Sequence, residues 1–175
     1  GNPNCGKTAL FNRLTGGRQK VANYPGVTVE RKEGFFSTQS GRAVRVLDLP
    51  GTYSLAATSP DEQVTHDVCS GTHSSEAAPD AIVCVVDATN LRLHLRFVLE
   101  MQRTGRPMLL ALNMMDLARK RGIQIDQQRL AVELGMPVVE TVALKKQGIS
   151  SLLDRLDQSI PALQADAIHG DVQHR

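Results

Sequence analysis

The sequence has no run of the roughly 18 apolar residues that a helix needs to cross a bilayer, and it has no signal-peptide pattern. Its basic residues are scattered, with a formal net charge of +2 and a pI of about 8.6. No basic stripe of the kind that binds nucleic acid is visible. The sequence therefore predicts a soluble domain without a nucleic-acid partner, and its 175 residues fit one domain of ordinary size.

Paired cysteines are also missing. The chain contains Cys5, Cys69 and Cys84, an odd number, and no C-x-x-C spacing. This composition does not predict a disulfide framework. Reduced thiols are typical of the cytosol, so the cysteines indicate a cytosolic compartment.

The first eight residues match the phosphate-binding pattern G-x-x-x-x-G-K-[ST]. Its glycines allow backbone N–H groups to converge on a β-phosphate. Lys7 then reaches the β- and γ-phosphate oxygens, and the Thr8 hydroxyl binds Mg²⁺. The helix predicted after the loop directs its N-terminus at phosphate. The residues expected to contact a nucleotide here are Gly1, Asn2, Pro3, Asn4, Cys5, Gly6, Lys7, Thr8 and Ala9.

The thiol of Cys5 belongs to this loop, at the start of a helix and near Lys7. A helix N-terminus and a lysine both favour a thiolate over a thiol. We therefore expect alkylating reagents to modify Cys5 faster than Cys84, which stands in an apolar run. Bound nucleotide is expected to slow the reaction at Cys5.

A second motif, D-x-x-G, is formed by Asp48 and Gly51. In phosphate-loop hydrolases this carboxylate lies near Mg²⁺, and the glycine N–H contacts the γ-phosphate. The pattern is common alone, but it is specific one hairpin after a phosphate loop. Thr28 lies between the two motifs, where a switch threonine closes on Mg²⁺ and the γ-phosphate. The alternative for Thr28 is an ordinary surface hydroxyl.

The third motif, residues 113–116, predicts which base is bound. The Asp116 carboxylate can accept hydrogen bonds from guanine N1–H and N2–H₂, whereas adenine presents an acceptor there and lacks the amino group. A site built for such a pair rejects the wrong base by a factor of about 10⁴. The motif therefore predicts GTP rather than ATP. The base contacts are expected from Asn113, Met114 and Asp116 and from the backbone N–H of Ala143.

Strand-like and helix-like segments alternate along the chain. The predicted strands cover residues 33–40, 43–49, 81–86, 108–112 and 137–142. The predicted helices cover residues 8–14, 91–103, 126–134 and 149–160. The alternation predicts an α/β fold, with a mostly parallel sheet, one antiparallel hairpin strand and helices on both faces. The strand that normally precedes a phosphate loop is missing, and residues 161–175 are a predicted tail or linker.

Five segments occur in an order that is typical of one family. They are residues 23–30 (Asn-Tyr-Pro-Gly-Val-Thr-Val-Glu), 48–55 (Asp-Leu-Pro-Gly-Thr-Tyr-Ser-Leu), 59–62 (Ser-Pro-Asp-Glu), 87–91 (Asp-Ala-Thr-Asn-Leu) and 113–117 (Asn-Met-Met-Asp-Leu). Together they resemble the cytoplasmic G domain of the FeoB family of bacterial ferrous-iron transporters. The resemblance covers residues 1–160.

The resemblance implies a Ras-like P-loop NTPase fold and a Mg²⁺-dependent GTPase, with Thr8, Thr28 and Asp48 around the metal. It also implies a helical regulatory domain that joins the G domain to a membrane Fe²⁺ permease in the same polypeptide, at the cytoplasmic face of the bacterial inner membrane. Oligomerisation is compatible with it. The chain departs from the family pattern at Cys5, at Ala9 and at residues 142–144 (Val-Ala-Leu), a weak match to the last base contact.

Thr52 and Tyr53 stand where Ras-like enzymes carry a water-orienting glutamine. The FeoB family is similar to GTPases that lack this glutamine and recruit K⁺ beside the phosphates through a P-loop asparagine, which Asn4 matches. The K⁺ would neutralise charge that develops during hydrolysis. The alternatives are turn chemistry for Asn4 and a water-orienting role for Glu62 or Gln63. The residues expected to act on hydrolysis are Asn4, Lys7, Thr28 and Gly51.

His66, Cys69 and His73 invite interpretation as an iron site in a transporter. Their spacing would place them on one face of a continuous helix, yet Gly71 is expected to end the helix first. Metal spacing this loose occurs often by chance. We therefore interpret the three residues as part of a polar helix and loop.

Two further functions stay open at this point. One is a soluble ribosome- or tRNA-associated GTPase of the same glutamine-lacking group, which should carry an RNA-binding appendage or a basic face. The other is a nucleotide-binding module with negligible turnover, which multiple-turnover phosphate release would distinguish from an enzyme. The sequence favours the regulatory GTPase of an iron transporter.

Overall fold

The computed structural model describes residues 1, 3, 5–56, 58–141 and 146–159. These residues form six α-helices and six β-strands. The helices are α1 Lys7–Thr15, α2 Pro60–Ser70, α3 Leu91–Gln102, α4 Met115–Lys120, α5 Gln127–Leu134 and α6 Lys146–Ser159. The strands are β1 Gln19–Asn23, β2 Glu30–Ser37, β3 Ala43–Asp48, β4 Ile82–Asp87, β5 Met108–Asn113 and β6 Val138–Thr141. Within this described part, no helix is long and apolar enough to span a bilayer.

The strands form two sheets of three strands each. β1, β2 and β3 pair antiparallel in that order, whereas β4, β5 and β6 pair parallel in that order. The α/β prediction is confirmed, although the antiparallel part has three strands instead of one hairpin strand. Asp87 and Asn113 lie opposite each other at the carboxyl ends of β4 and β5. Ligands of parallel α/β sheets bind at this edge.

The parallel sheet is covered by helices on both faces. Val86 and Leu110 belong to a buried cluster with residues of α3, α4 and α5. Val85, Leu109 and Ala111 belong to a second cluster with residues of α1 and α6. Because alternate side chains are buried on opposite faces, the strands are continuous apolar runs in the sequence. The strands predicted from those runs are confirmed here.

β1 and α4 have no clear signal in the sequence. All five residues of β1 are exposed, so no apolar alternation marks the strand. Pairing with β2, from Gln19 opposite Gly34 to Asn23 opposite Glu30, holds β1 in place. α4 has only six residues, which is too few for helical periodicity to emerge.

Helix ends follow the capping chemistry of the sequence. The Ser59 hydroxyl accepts from the backbone N–H of Glu62 (3.2 Å) at the start of α2. Gly71 and Gly135 follow α2 and α5 with φ angles of +77° and +65°, which glycine adopts without strain. The predicted stop of α2 at Gly71 is confirmed.

A cleft of about 500 Å³ lies between β3 and β4. Val44 and Val46 line one side of it, and Val83 and Val85 line the other. Gly1 also contributes to the lining. The strand expected before Gly1 stays a prediction. The domain limit at residue 160 and the tail at 161–175 also stay predictions, because they lie outside the described residues.

Candidate functional site

The phosphate-loop pattern leads directly into α1. Gly6 has a φ of +89°, a left-handed conformation that favours glycine. Lys7 begins α1, so the unpaired N–H groups of the first turn adjoin the loop. Leu10 and Phe11 are buried and fix the helix against the protein, while Thr8 is exposed. The loop and helix therefore have the arrangement that anion binding requires.

An ion pair joins this loop to the end of β3. Lys7 Nζ contacts Asp48 Oδ1 across 41 residues of sequence. The Asp48 side chain is 4% exposed and that of Lys7 is 20% exposed, so water screens the pair less than it would on an open surface. Two motifs that are distant in sequence are thus in direct contact. The Lys7 ammonium lies where a phosphate is expected to bind, and the Asp48 carboxylate lies where Mg²⁺ is expected to bind.

Gly51 lies against the same loop. A Cβ added to Gly51 would stand 3.1 Å from Pro3 Cα, which is tighter than ordinary packing. The next residue, Thr52, donates its backbone N–H to the carbonyl of Gly1 (3.2 Å). Glycine at position 51 therefore permits a close approach of the D-x-x-G backbone to the phosphate loop. The Thr52 hydroxyl is buried, and Tyr53 is 56% exposed.

Asn113 connects the base motif to the phosphate loop. Its side-chain Nδ2 donates to the backbone carbonyl of Cys5 (3.0 Å), and Asn113 is 5% exposed. A Cβ on Gly6 would collide with this amide, so the loop glycine also makes room for Asn113. Sequence reasoning assigned Asn113 to base recognition and missed this link. No local pattern connects residues that are 108 positions apart.

Met114 and Asp116 form the turn from β5 into α4. Met114 has a φ of +61°, the single non-glycine residue with positive φ in the part of the chain that the structure describes. Such a conformation costs about 1 kcal/mol or more and is concentrated at functional sites. Asp116 is exposed in the first turn of α4. Its carboxylate is therefore accessible to a ligand at the edge where β5 ends.

Thr28 is exposed, and within the described residues no hydrogen bond joins it to Lys7 or Asp48. Its neighbours are firmly anchored: Tyr24 is 1% exposed and Val29 is 4% exposed. Both pack in a cluster with two valines of α2. The segment that carries Thr28 is thus held at its two ends, and the switch role of Thr28 stays a prediction.

The expectation that the surroundings of Cys5 favour a thiolate is wrong. The Cys5 side chain is fully buried and packs with Leu10, Val85 and Leu109. This burial raises the pKa of the thiol, and it outweighs the opposing effect of Lys7. The sequence correctly placed the Cys5 backbone in the loop, but the side chain points into the protein.

His66, Cys69 and His73 do not converge on one point. His66 Nδ1 contacts Asp67 Oδ1 (3.0 Å), and the His73 ring packs edge-on against Tyr24. Cys69 is fully buried, which raises the pKa of its thiol to about 12. Among the described residues, no group of three His, Cys, Asp or Glu side chains could hold a metal ion.

The oxygen donors at the loop suit Mg²⁺. Thr8 offers a hydroxyl and Asp48 a carboxylate, and Mg²⁺ prefers such oxygen ligands together with phosphate. The Lys7–Asp48 contact brings the end of β3 to the first turn of α1, where Thr8 also stands. These residues therefore fit the metal. Asn2, Asn4 and Ala143 lie outside the described residues, so the expectations for them stay predictions.

The sequence profile of the ferrous iron transport protein B family matches residues 1–156. The Fe(2+) transporter FeoB of Escherichia coli K12 is 44% identical over 174 residues, which cover 97% of this chain and 22% of that protein. The Salmonella typhimurium transporter gives the same values. The chain thus spans about a fifth of the length of these curated relatives.

Solved structures agree with the sequence match. The cytosolic domain of T. maritima FeoB in a GDP form has a TM-score of 0.82 at 39% identity, covering 91% of this chain and 60% of that chain. The FeoB G domain of Methanococcus jannaschii has a TM-score of 0.78 at 41% identity, covering 92% of this chain and 94% of that chain. Profile, sequence and fold agree: the chain belongs to the FeoB family of ferrous iron transport proteins and forms a G domain.

Proposed function

We propose that this domain binds GTP with Mg²⁺, hydrolyses it to GDP and phosphate, and thereby regulates Fe²⁺ uptake by the membrane part of the same polypeptide. The observation that carries the proposal is the convergence of three motifs at one edge of the fold. Asp48 contacts Lys7, and Asn113 contacts the backbone of Cys5. The contact between two guanine-nucleotide motifs and a phosphate loop favours a GTPase over a general phosphate site.

Lys7 and Gly51 would act on the phosphates. Lys7 would neutralise charge on the β- and γ-oxygens. Gly51, whose backbone lies close to Pro3, would donate its N–H to the γ-phosphate. Thr8 and Asp48 would hold Mg²⁺, which neutralises charge on the phosphate oxygens when bound. Thr28 would join them only in the triphosphate state.

Asp116 would select guanine. Its exposed carboxylate at the start of α4 can accept from both N1–H and N2–H₂ of the base. Met114 shapes the turn that presents it, and the backbone N–H of Ala143 would complete the contacts. The T. maritima cytosolic domain was solved in GDP and GMPPNP forms, which supports a guanine nucleotide for this chain as well.

The link to iron transport follows from family membership. The relatives named Fe(2+) transporter are several times longer than this chain, which covers 22% of their length. We therefore propose that the domain works at the cytoplasmic face of the bacterial inner membrane, joined through a helical regulatory domain to the Fe²⁺ permease. This membership disfavours the ribosome- or tRNA-associated alternative.

Asn4 would bind K⁺ beside the phosphates and so replace the missing glutamine. The expected result is a several-fold rise in the hydrolysis rate when K⁺ replaces Na⁺ at fixed ionic strength. Such a rise corresponds to an activation free energy that is lower by about 1 kcal/mol. Asn4→Ala should remove this response while GDP still binds. Equal rates in the two salts would leave Asn4 with turn chemistry alone.

The test of the function itself is multiple-turnover phosphate release from GTP by the intact protein, with ATP as the competing substrate. Lys7→Ala should abolish release, because Lys7 lies at the loop and pairs with Asp48. Lys120→Ala is the matched control, since Lys120 is an exposed lysine in the last turn of α4. Release that is equal with ATP, or unchanged in Lys7→Ala, would refute the proposal.

A further inference from the structure

The segment between Gly51 and α2, residues 52–58, is here called the switch segment. It is attached to the rest of the protein at three points. Thr52 donates its N–H to Gly1 at one end, and Thr58 donates its N–H (2.9 Å) and hydroxyl (2.6 Å) to Glu62 at the other. The third point lies in the middle of the segment and involves Glu100 of α3.

Glu100 holds the middle of the switch segment with one carboxylate oxygen. Oε2 accepts from the backbone N–H of Leu55 (2.8 Å) and from the hydroxyl of Ser54 (3.3 Å). The Glu100 side chain is 21% exposed, and hydrogen bonds to an ionised acceptor are stronger than neutral ones. The Leu55 side chain packs against the cluster that α3 helps to form. α3 therefore holds both the backbone and the side chain of Leu55.

Residues 53–56 are the described residues between Thr52 and Thr58. The two bonds to Glu100 are the only hydrogen bonds that join these four residues to another described element. The remaining bond is internal, from the Ala56 N–H to the Ser54 hydroxyl (3.0 Å). Leu55 is four residues from Gly51, whose backbone lies against Pro3 of the phosphate loop. The Glu100 contact therefore restrains the chain that positions Gly51.

We propose that Glu100 is a positioning residue for the γ-phosphate contact: its carboxylate anchors the switch segment to α3 and so holds the Gly51 N–H beside the phosphate loop. The inference rests on the proposed GTP-binding function. In the described part of the chain, the hydrogen bonds and ion pair of Glu100 are with Ser54, Leu55 and Arg96, so it acts on the site through Leu55 and Ser54. Its loss is therefore expected to weaken triphosphate binding and hydrolysis, while diphosphate binding is retained.

The test compares Glu100→Ala and Glu100→Gln in the intact protein. We expect Glu100→Ala to lower the affinity for GMPPNP and the turnover of GTP by about fivefold or more, with GDP affinity within about twofold of the parent. Glu100→Gln keeps an acceptor oxygen for the Leu55 N–H and should restore most of the difference. Hydrogen exchange of residues 53–56 without nucleotide should accelerate in Glu100→Ala.

A matched control is available on α5. Glu133 Oε1 pairs with Arg129 Nε, four residues before it (2.8 Å), just as Glu100 Oε1 pairs with Arg96 Nε (3.4 Å). Among the described residues, Glu133 makes no hydrogen bond to the switch segment. Glu133→Ala should therefore leave the GMPPNP to GDP affinity ratio unchanged. Arg96→Ala should also leave it unchanged, because Arg96 is 83% exposed and the Leu55 bond remains.

Several outcomes would overturn the role of Glu100. If hydrogen exchange of residues 53–56 accelerates but the GMPPNP to GDP affinity ratio is unchanged, Glu100 anchors the switch segment without affecting nucleotide binding. Equal losses for GMPPNP and GDP would show general damage to the fold. Failure of the proposed function has a different signature, since the parent protein itself would then neither prefer guanine nor release phosphate from GTP.

Discussion

The two ends of the site are built differently. The phosphate end, residues 1–8 and 48–51, pairs Lys7 and Asp48, two charged side chains from different elements, and leads into the switch segment, which is attached at three points. The base end, residues 113–116, follows a strand whose last five residues are all buried. The base end is therefore built on one buried strand, whereas the phosphate end depends on contacts between separate elements.

Asn113 joins the two ends through its bond to the Cys5 carbonyl. β5 therefore also supports the candidate phosphate loop.

The largest effect is expected at the base end, for Asp116→Asn. An amide cannot accept from both guanine donors, so GDP and GTP affinities should fall on the order of 100-fold together. Xanthine nucleotide should bind better than in the parent, because the amide can donate to its carbonyl. Fluorescent GDP, XDP and ADP titrations measure both effects. Asp126→Asn, at the N-cap of α5, is the control and should bind GDP normally.

Asn113→Ala tests whether the ends are coupled. It leaves the Cys5 carbonyl without its buried partner, which should lower the free energy of unfolding by about 1–3 kcal/mol. GDP and GMPPNP affinities should fall by the same factor. Gln127→Ala removes a comparable amide bond to the Val138 carbonyl (2.9 Å) and should leave nucleotide binding unchanged. A loss confined to GMPPNP would contradict a link that serves both nucleotides.

Thr28→Ala tests the phosphate end. The side chain is exposed here and is expected to meet Mg²⁺ and the γ-phosphate only with the triphosphate bound. GDP affinity should stay nearly unchanged, while kcat falls at least about tenfold, or 1.4 kcal/mol. Thr72→Ala, an exposed threonine in the loop after α2, serves as the control. Parental kcat in Thr28→Ala would rule out the switch role.

The smallest effect is expected for Cys5. Because burial raises the pKa of its thiol, the group stays protonated and covered at neutral pH. Peptide-resolved alkylation should therefore show Cys5 labelled as slowly as Cys84, which is also buried, and the rate should not depend on GDP. Concentrated urea should release both thiols together. Fast labelling of Cys5 in the folded protein would show that the loop opens at this point.

Sequence reasoning succeeded where structure is encoded locally. The runs that became β4 and β5 are apolar because helices cover both faces of the sheet, and that requirement acts on every residue of the strand. β1 escaped prediction because its five exposed residues depend on a partner strand rather than on their own pattern. The phosphate-loop motif is recognisable in the sequence because phosphate and Mg²⁺ demand specific side chains at short spacing, and the contacts of its residues with a nucleotide stay predictions.

The sequence by itself determined the three motifs, the α/β alternation and the helix caps, since each follows from residues within a few positions of one another. Only the tertiary structure decided that Cys5 is buried, that Asn113 supports the phosphate loop and that Glu100 anchors the switch segment. These features join residues that are 45 to 108 positions apart or depend on what covers a side chain. Such contacts arise from packing between elements, which no local pattern of residues specifies.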